Sequence, residues 1–158
     1  MGLEAARAYL KKFNLDDKIQ EFAVSSATVD LAAAALQVEP ARIAKSLALH
    51  GSDGAIMIVT AGDSRIDNKL YKIQFGVRAR MLSREETRME TGYDVGSVCP
   101  FALENKIPVY LDESLRRFDK IFPAAGSENS AVELSCQELE QCACNFSGWV
   151  DVCKNWRG

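Results

Sequence analysis

Two apolar, β-rich runs, residues 46–50 and 55–60, flank the tetrapeptide Gly51-Ser52-Asp53-Gly54. Turn residues between two such runs signal a β-hairpin, because they supply the backbone angles that a tight reversal needs. The chain is thereby committed to a sheet with an antiparallel pair. Elsewhere helical and extended periods alternate. Leu3, Ala6, Leu10 and Phe13 recur at the spacing of one helix face. A short strand is expected over 20–24. Ser26 or Thr28 is placed to cap a helix running to Leu36, with Val29, Ala32, Ala33 and Leu36 on its apolar side. Pro40 suits the first position of another short helix, predicted to end near Lys45.

After the hairpin, Ala61-Gly62-Asp63 turns the chain into a helix with Ile66, Leu70 and Ile73 inward, ended by Gly76. Residues 79–82 read as extended. Ser83 with Glu86, and Ser135 with Glu138, spell two capping boxes, the first opening a helix that stops at Gly92. Strands are predicted over 107–111, 117–122, 131–134 and 149–153. The sum is one domain, residues 1–158, of α/β class, with about six or seven strands in a mixed sheet and about five helices.

A composition of 47% hydrophobic and 26% charged residues excludes disorder and collagen-like repeats. No apolar run reaches the roughly 18–20 residues of a membrane span. The segment Met1-Gly2-Leu3-Glu4-Ala5-Ala6-Arg7 lacks the basic-then-apolar layout of a secretion signal, and a cytoplasmic protein is expected. The five cysteines, Cys99, Cys136, Cys142, Cys144 and Cys153, form no C-x-x-C pair, and His50 is the single histidine, so no metal is expected. A net charge of -3 argues against a protein that coats nucleic acid. From Ser64 to Arg88, however, seven basic residues face three acidic ones, a local basic surface suited to modest phosphate contact or to simple solvation.

Lys45 lies where a helical pattern gives way to an extended one, between apolar neighbours. There a long stem packs and only the head is left free. A lysine at a helix C-terminus would equally answer the helix dipole and need no further role. Downstream, Gly92, Gly96 and Pro100 make residues 91–101 rigid and poor in side chains, so that backbone donors can approach a ligand carbonyl. A tight turn alone would also call for those glycines. A fixed cation and free N–H groups together suit a phosphate or an ester carbonyl. No phosphate-binding loop, dinucleotide fingerprint or nucleophile elbow is present. A hydrolase triad of Cys99, His50 and Asp112 is permitted but has no local signature, and Cys99 also reads as a packed residue.

Several segments, in order, carry a specific likeness: Thr28-Val29-Asp30-Leu31-Ala32-Ala33, Ile43-Ala44-Lys45-Ser46-Leu47, and Ala61-Gly62-Asp63-Ser64-Arg65-Ile66-Asp67-Asn68-Lys69-Leu70. Thr91-Gly92-Tyr93, Gly96-Ser97-Val98-Cys99-Pro100-Phe101, Val109-Tyr110-Leu111-Asp112 and Ala125-Gly126-Ser127 continue it. Over nearly the whole chain from about Glu21, the sequence resembles the YbaK/EbsC family of prolyl-tRNA synthetase-associated editing domains. The resemblance implies a compact, barrel-like mixed sheet with surrounding helices. It implies a trans-acting aminoacyl-tRNA deacylase that needs no cofactor and removes a small amino acid, as from Cys-tRNA(Pro) or Ala-tRNA(Pro). Its partners would be tRNA and prolyl-tRNA synthetase. The family's essential lysine falls on Lys45 and its G-x-x-x-P loop on Gly96 to Pro100, which makes Lys45, Gly96 and Pro100 the catalytic candidates. Ser25, Thr28, Ser46, Gly92, Ser97, Val98, Cys99, Asp112 and Ser127 are the substrate-binding candidates. Arg65, Lys69 and Lys72 are the tRNA-contact candidates. Ser97 stands where many relatives carry a second glycine. An aminoacyl ester is already activated, so holding its carbonyl and stabilising the oxyanion can suffice. Two alternatives stay open: a nucleotide-binding or aminoacyl-tRNA-binding module without turnover, and a Cys99-dependent hydrolase.

Overall fold

The structure, a computed structural model, describes residues 2–157. Helix α1 (Leu3–Lys11) buries Ala6 and Leu10, while Phe13 lies beyond its end. Strand β1 (Ile19–Glu21) follows, and then α2 (Val29–Leu36), capped by Thr28 Oγ1 accepting from Leu31 N. The helix expected to run from Pro40 to Lys45 does not form. Pro40–Arg42 makes a single 3-10 turn, and strand β2 (Ile43–His50) begins at once. Ladder pairing of Ile43 with Phe122, and of Ala44 with strands on both sides, outweighs one more helical turn, which would add few hydrogen bonds.

The hairpin joins β2 to β3 (Ala55–Ala61), antiparallel from Ala44 opposite Ala61 to His50 opposite Ala55. Strand β4 (Arg65–Ile66) then precedes α3 (Asn68–Phe75). Ile66 therefore lies outside the helix, and Ile73, expected inward, is 73% exposed. The cause is Asp67, whose carboxylate accepts from Lys69 N and Leu70 N and so starts the helix late, turning Tyr71 into the core instead. Both capping boxes form, on α4 (Arg84–Thr91) and α5 (Cys136–Cys142). The remaining strands are β5 (Val109–Asp112), β6 (Phe122–Pro123), β7 (Ser130–Val132), β8 (Phe146–Val150) and β9 (Cys153–Lys154). The strand predicted over 117–122 shrinks to β6, because Glu113–Arg117 closes a 3-10 turn. The one predicted over 149–153 splits into β8 and β9.

Five strands form the main sheet in the order β6-β2-β3-β5-β8, curled into a half-barrel. Only β2 and β3 pair antiparallel within it; β2 with β6, β3 with β5 and β5 with β8 run parallel. One face carries the larger core, in which Met57, Val59, Phe101, Leu111, Leu134 and Leu139 are buried. The other face packs Leu49, Ile58 and Tyr71 against Val152 and Cys153. A third cluster seats Ala32 and Ala33 of α2 on Ile43 and Phe122. This last contact places the start of α2 over the outer edge of β2.

Candidate functional site

The outer edge of β2 is only partly covered. Strand β6 pairs with it at Ile43 and Ala44, and Met81 bridges Leu49 further along. Between these contacts lies a cavity of about 310 Å³, bounded by the start of α2, the segment Met81–Leu82, and the loop that carries Gly96 and Val98. Because it follows a strand edge, residues from both faces of β2 line it. Lys45 and Leu47 belong to the face of Leu49, whereas Ala44, Ser46 and Ala48 belong to the opposite one.

Among the predicted site residues, Thr28, Lys45, Ser46, Gly96 and Val98 are brought together around this cavity. Lys45 is half-buried, and its Nζ donates to Ser64 O at 2.5 Å. Burial holds its ammonium below the ordinary lysine range; Arg65 lowers it further, while Cys153 and Asp63 act in the opposite sense. The turn that offers Ser64 O is itself clamped. Ser64 N and Oγ both donate to Ala61 O, and Arg117 holds Asp63 through two guanidinium contacts of 2.9 and 2.6 Å. That pairing draws the Asp63 carboxyl below the usual carboxylate range.

Gly96 adopts φ 97°, a left-handed conformation that side chains disfavour, and a Cβ there would come within 3.2 Å of Ala27 Cβ. The N–H groups of Gly96 and Val98 have no hydrogen-bond acceptor among the described residues, whereas Ser97 N is used by Asp94 O. The N–H of Val95, which also lines the cavity, likewise has none, so this loop carries amide donors left without an acceptor.

Ser25, Gly92, Ser97, Cys99, Pro100, Asp112 and Ser127 lie outside the cavity lining. Gly92 ends α4 in the left-handed conformation. Ser25 Oγ accepts from Ala27 N, and Ser127 Oγ pairs with Ser130 Oγ at 2.6 Å. Pro100 is buried behind the loop, its carbonyl accepting from Cys144 N. The Cys99 triad is not assembled. Cys99 is completely buried and its thiol is pushed up to about 12 by burial. Both Asp112 carboxylate oxygens are occupied, by Ser114 N and Val152 N, and His50 faces Glu86 at 3.5 Å. Arg65, Lys69 and Lys72 are exposed on β4 and α3. The apolar lining, among it Val29, Ile43, Leu47, Leu82, Val95 and Phe122, was not foreseen. In the sequence these residues are indistinguishable from core positions, and only the gap in the β2 edge sets them apart.

A sequence profile of the aminoacyl-tRNA editing domain matches residues 24–142. The chain is 48% identical to YwhH, an uncharacterized protein of Bacillus subtilis (strain 168), over 99% of both chains. It is 30% identical, over 77% of both, to EbsC of Enterococcus faecalis (strain ATCC 700802 / V583), which is named as a candidate Cys-tRNA(Pro)/Cys-tRNA(Cys) deacylase. A crystal structure described as that of a candidate trans-editing enzyme for prolyl tRNA synthetase superposes with a TM-score of 0.86, 26% identity and 96% coverage of each chain. Among the described residues no helix is long and apolar enough to cross a membrane. With a family match over most of its length and a fold shared with a trans-editing relative, this chain belongs to the aminoacyl-tRNA editing domain family.

Proposed function

We propose that the protein hydrolyses, in trans, the ester between a small, wrongly attached amino acid and the 3′ end of a tRNA. The observation that carries this reading is the pairing, around one cavity, of the Lys45 strand with the unoccupied amide donors of the Gly96 loop in a member of the editing family. Water adds to the acyl carbonyl carbon, and the N–H groups of Gly96 and Val98 hold the resulting oxyanion. Collapse breaks the bond to the ribose oxygen, which takes one proton of the attacking water and leaves as the free hydroxyl, while the amino acid departs as its carboxylate and the second proton passes to solvent. Lys45 supplies a point charge beside the ester and the terminal phosphate. A cavity of about 310 Å³ favours a small aminoacyl group. Cys-tRNA(Pro) and Ala-tRNA(Pro) are the first substrates to test, with prolyl-tRNA synthetase as the enzyme whose errors would be corrected. Turnover on a panel of mischarged tRNAs tests the reading; saturable binding without hydrolysis of any of them would make the protein a binding module.

Two further outcomes are expected. Cys99→Ala should retain activity within a few-fold of wild type, since its thiol lines the core and not the cavity. A correctly folded variant that had lost turnover would reinstate the thiol as nucleophile. Lys69→Glu combined with Lys72→Glu should weaken tRNA-dependent hydrolysis and flatten its dependence on salt, because each phosphate contact removed lowers the number of counterions released. A salt response equal to wild type would leave α3 as a solvated face.

A further inference from the structure

The segment of β2 that lines the cavity presents backbone as well as side chains. His50 N donates outward to Arg80 O, and Ala48 O accepts outward from Leu82 N. Alternation along the strand therefore turns the N–H and C=O of Ser46, and the N–H of Ala48, toward the same side. The ladder with β6 ends at Ala44, and these three groups have no backbone partner among the described residues. Ser46 Oγ is likewise buried without a hydrogen-bond partner. An unpaired buried polar group is costly and uncommon, so the Ser46 hydroxyl beside unpaired backbone groups on a cavity wall marks a surface that a ligand can complete.

We infer that this edge reads the adenine base of the terminal nucleoside. Ser46 C=O accepts from the exocyclic amine, and Ala48 N–H donates to the ring nitrogen beside it. Three observations favour a flat, neutral base over other occupants. The gap offers only about 7 Å of edge between the Ser46 and Ala48 amides. It is closed at one end by Ala124 and at the other by Leu82, too short for an added peptide strand. The lining contains one charged residue, Lys45, and no carboxylate, which disfavours an α-ammonium in this part of the cavity. Leu47, Leu82, Val95 and Val98 supply apolar surface on which a base can lie. The tRNA source of the base rests on the function proposed above; the recognition chemistry does not.

Ligand-side changes test this without disturbing the fold. AMP titrated into the intact protein should shift the backbone amide resonances of Ser46 and Ala48. IMP, which has the same shape but the opposite donor and acceptor order, should bind about tenfold more weakly, and UMP more weakly than AMP. In parallel, an aminoacyl minihelix ending in inosine should be hydrolysed about tenfold less efficiently than one ending in adenosine, chiefly through KM. Equal binding of AMP with IMP or UMP, or no amide shift in β2 at millimolar AMP, would overturn the assignment. If both minihelices were hydrolysed equally well, the deacylase reading would survive and the base-reading edge would fall. If AMP bound selectively at β2 while no aminoacyl-tRNA were cleaved, the reverse would hold.

Discussion

Lys45→Ala is expected to lower kcat/KM for aminoacyl-tRNA hydrolysis by about 100- to 1,000-fold, the range found when one electrostatic group aimed at a transition state is removed. The fold should persist, because truncation also removes the burden of a half-buried ammonium. Lys45→Arg should restore little: the 2.5 Å contact to Ser64 O fits a compact ammonium, and a planar guanidinium cannot occupy the same point. The pH dependence follows from the neighbours. Burial lowers the Lys45 pKa, so a rate that depends on its charge should fall, as pH rises, earlier than an ordinary lysine would allow. Asp63 holds the charge on, and Asp63→Asn should move that fall to still lower pH. Stability runs the other way. The unfolded chain binds this proton more tightly, so the fold gains as pH rises between the folded and unfolded pKa values. Wild-type turnover by a folded Lys45→Ala variant would reduce the residue to packing.

Asp112→Ala is expected to destabilise the protein by about 3 kcal/mol, at about 1–3 kcal/mol for each buried donor left without a partner. The carboxylate is fully buried and accepts from Ser114 N and Val152 N, both at 2.9 Å. It thereby ties the end of β5 both to the 3-10 turn that follows it and to the connection between β8 and β9. Denaturant unfolding of wild type and variant measures the loss. Unchanged stability with lost hydrolysis would return Asp112 to the substrate-binding candidates among which the sequence placed it.

Much of the local architecture was legible because it rests on short-range chemistry. Ser83 with Glu86 and Ser135 with Glu138 satisfy helix ends within four residues, and both boxes form. The Gly51–Gly54 reversal likewise needs only its own backbone, closed by Gly51 N donating to Gly54 O at 2.7 Å. Where prediction failed, either a distant partner or an unread local cap decided. The turn after Pro40 stops because Ile43 and Ala44 find Phe122 and Pro123 across the sheet. Ile73 faces solvent because a single cap, Asp67, set the phase of α3 and chose Tyr71 for the core.

The site divides in the same way. Lys45 and Gly96 stood out by residue type alone, an ammonium among apolar neighbours and a glycine in a sparse loop, and the order of the segments around them carried the family resemblance. That the outer edge of β2 would be left open between Ala44 and the Ala48 carbonyl has no counterpart in the sequence. Sheet pairing depends on which strands arrive at an edge and where they stop. Only the assembled sheet determined that Lys45 would turn onto Ser64 O, that Cys99 would be sealed in the core, and that the Ser46 and Ala48 backbone would face an open cavity.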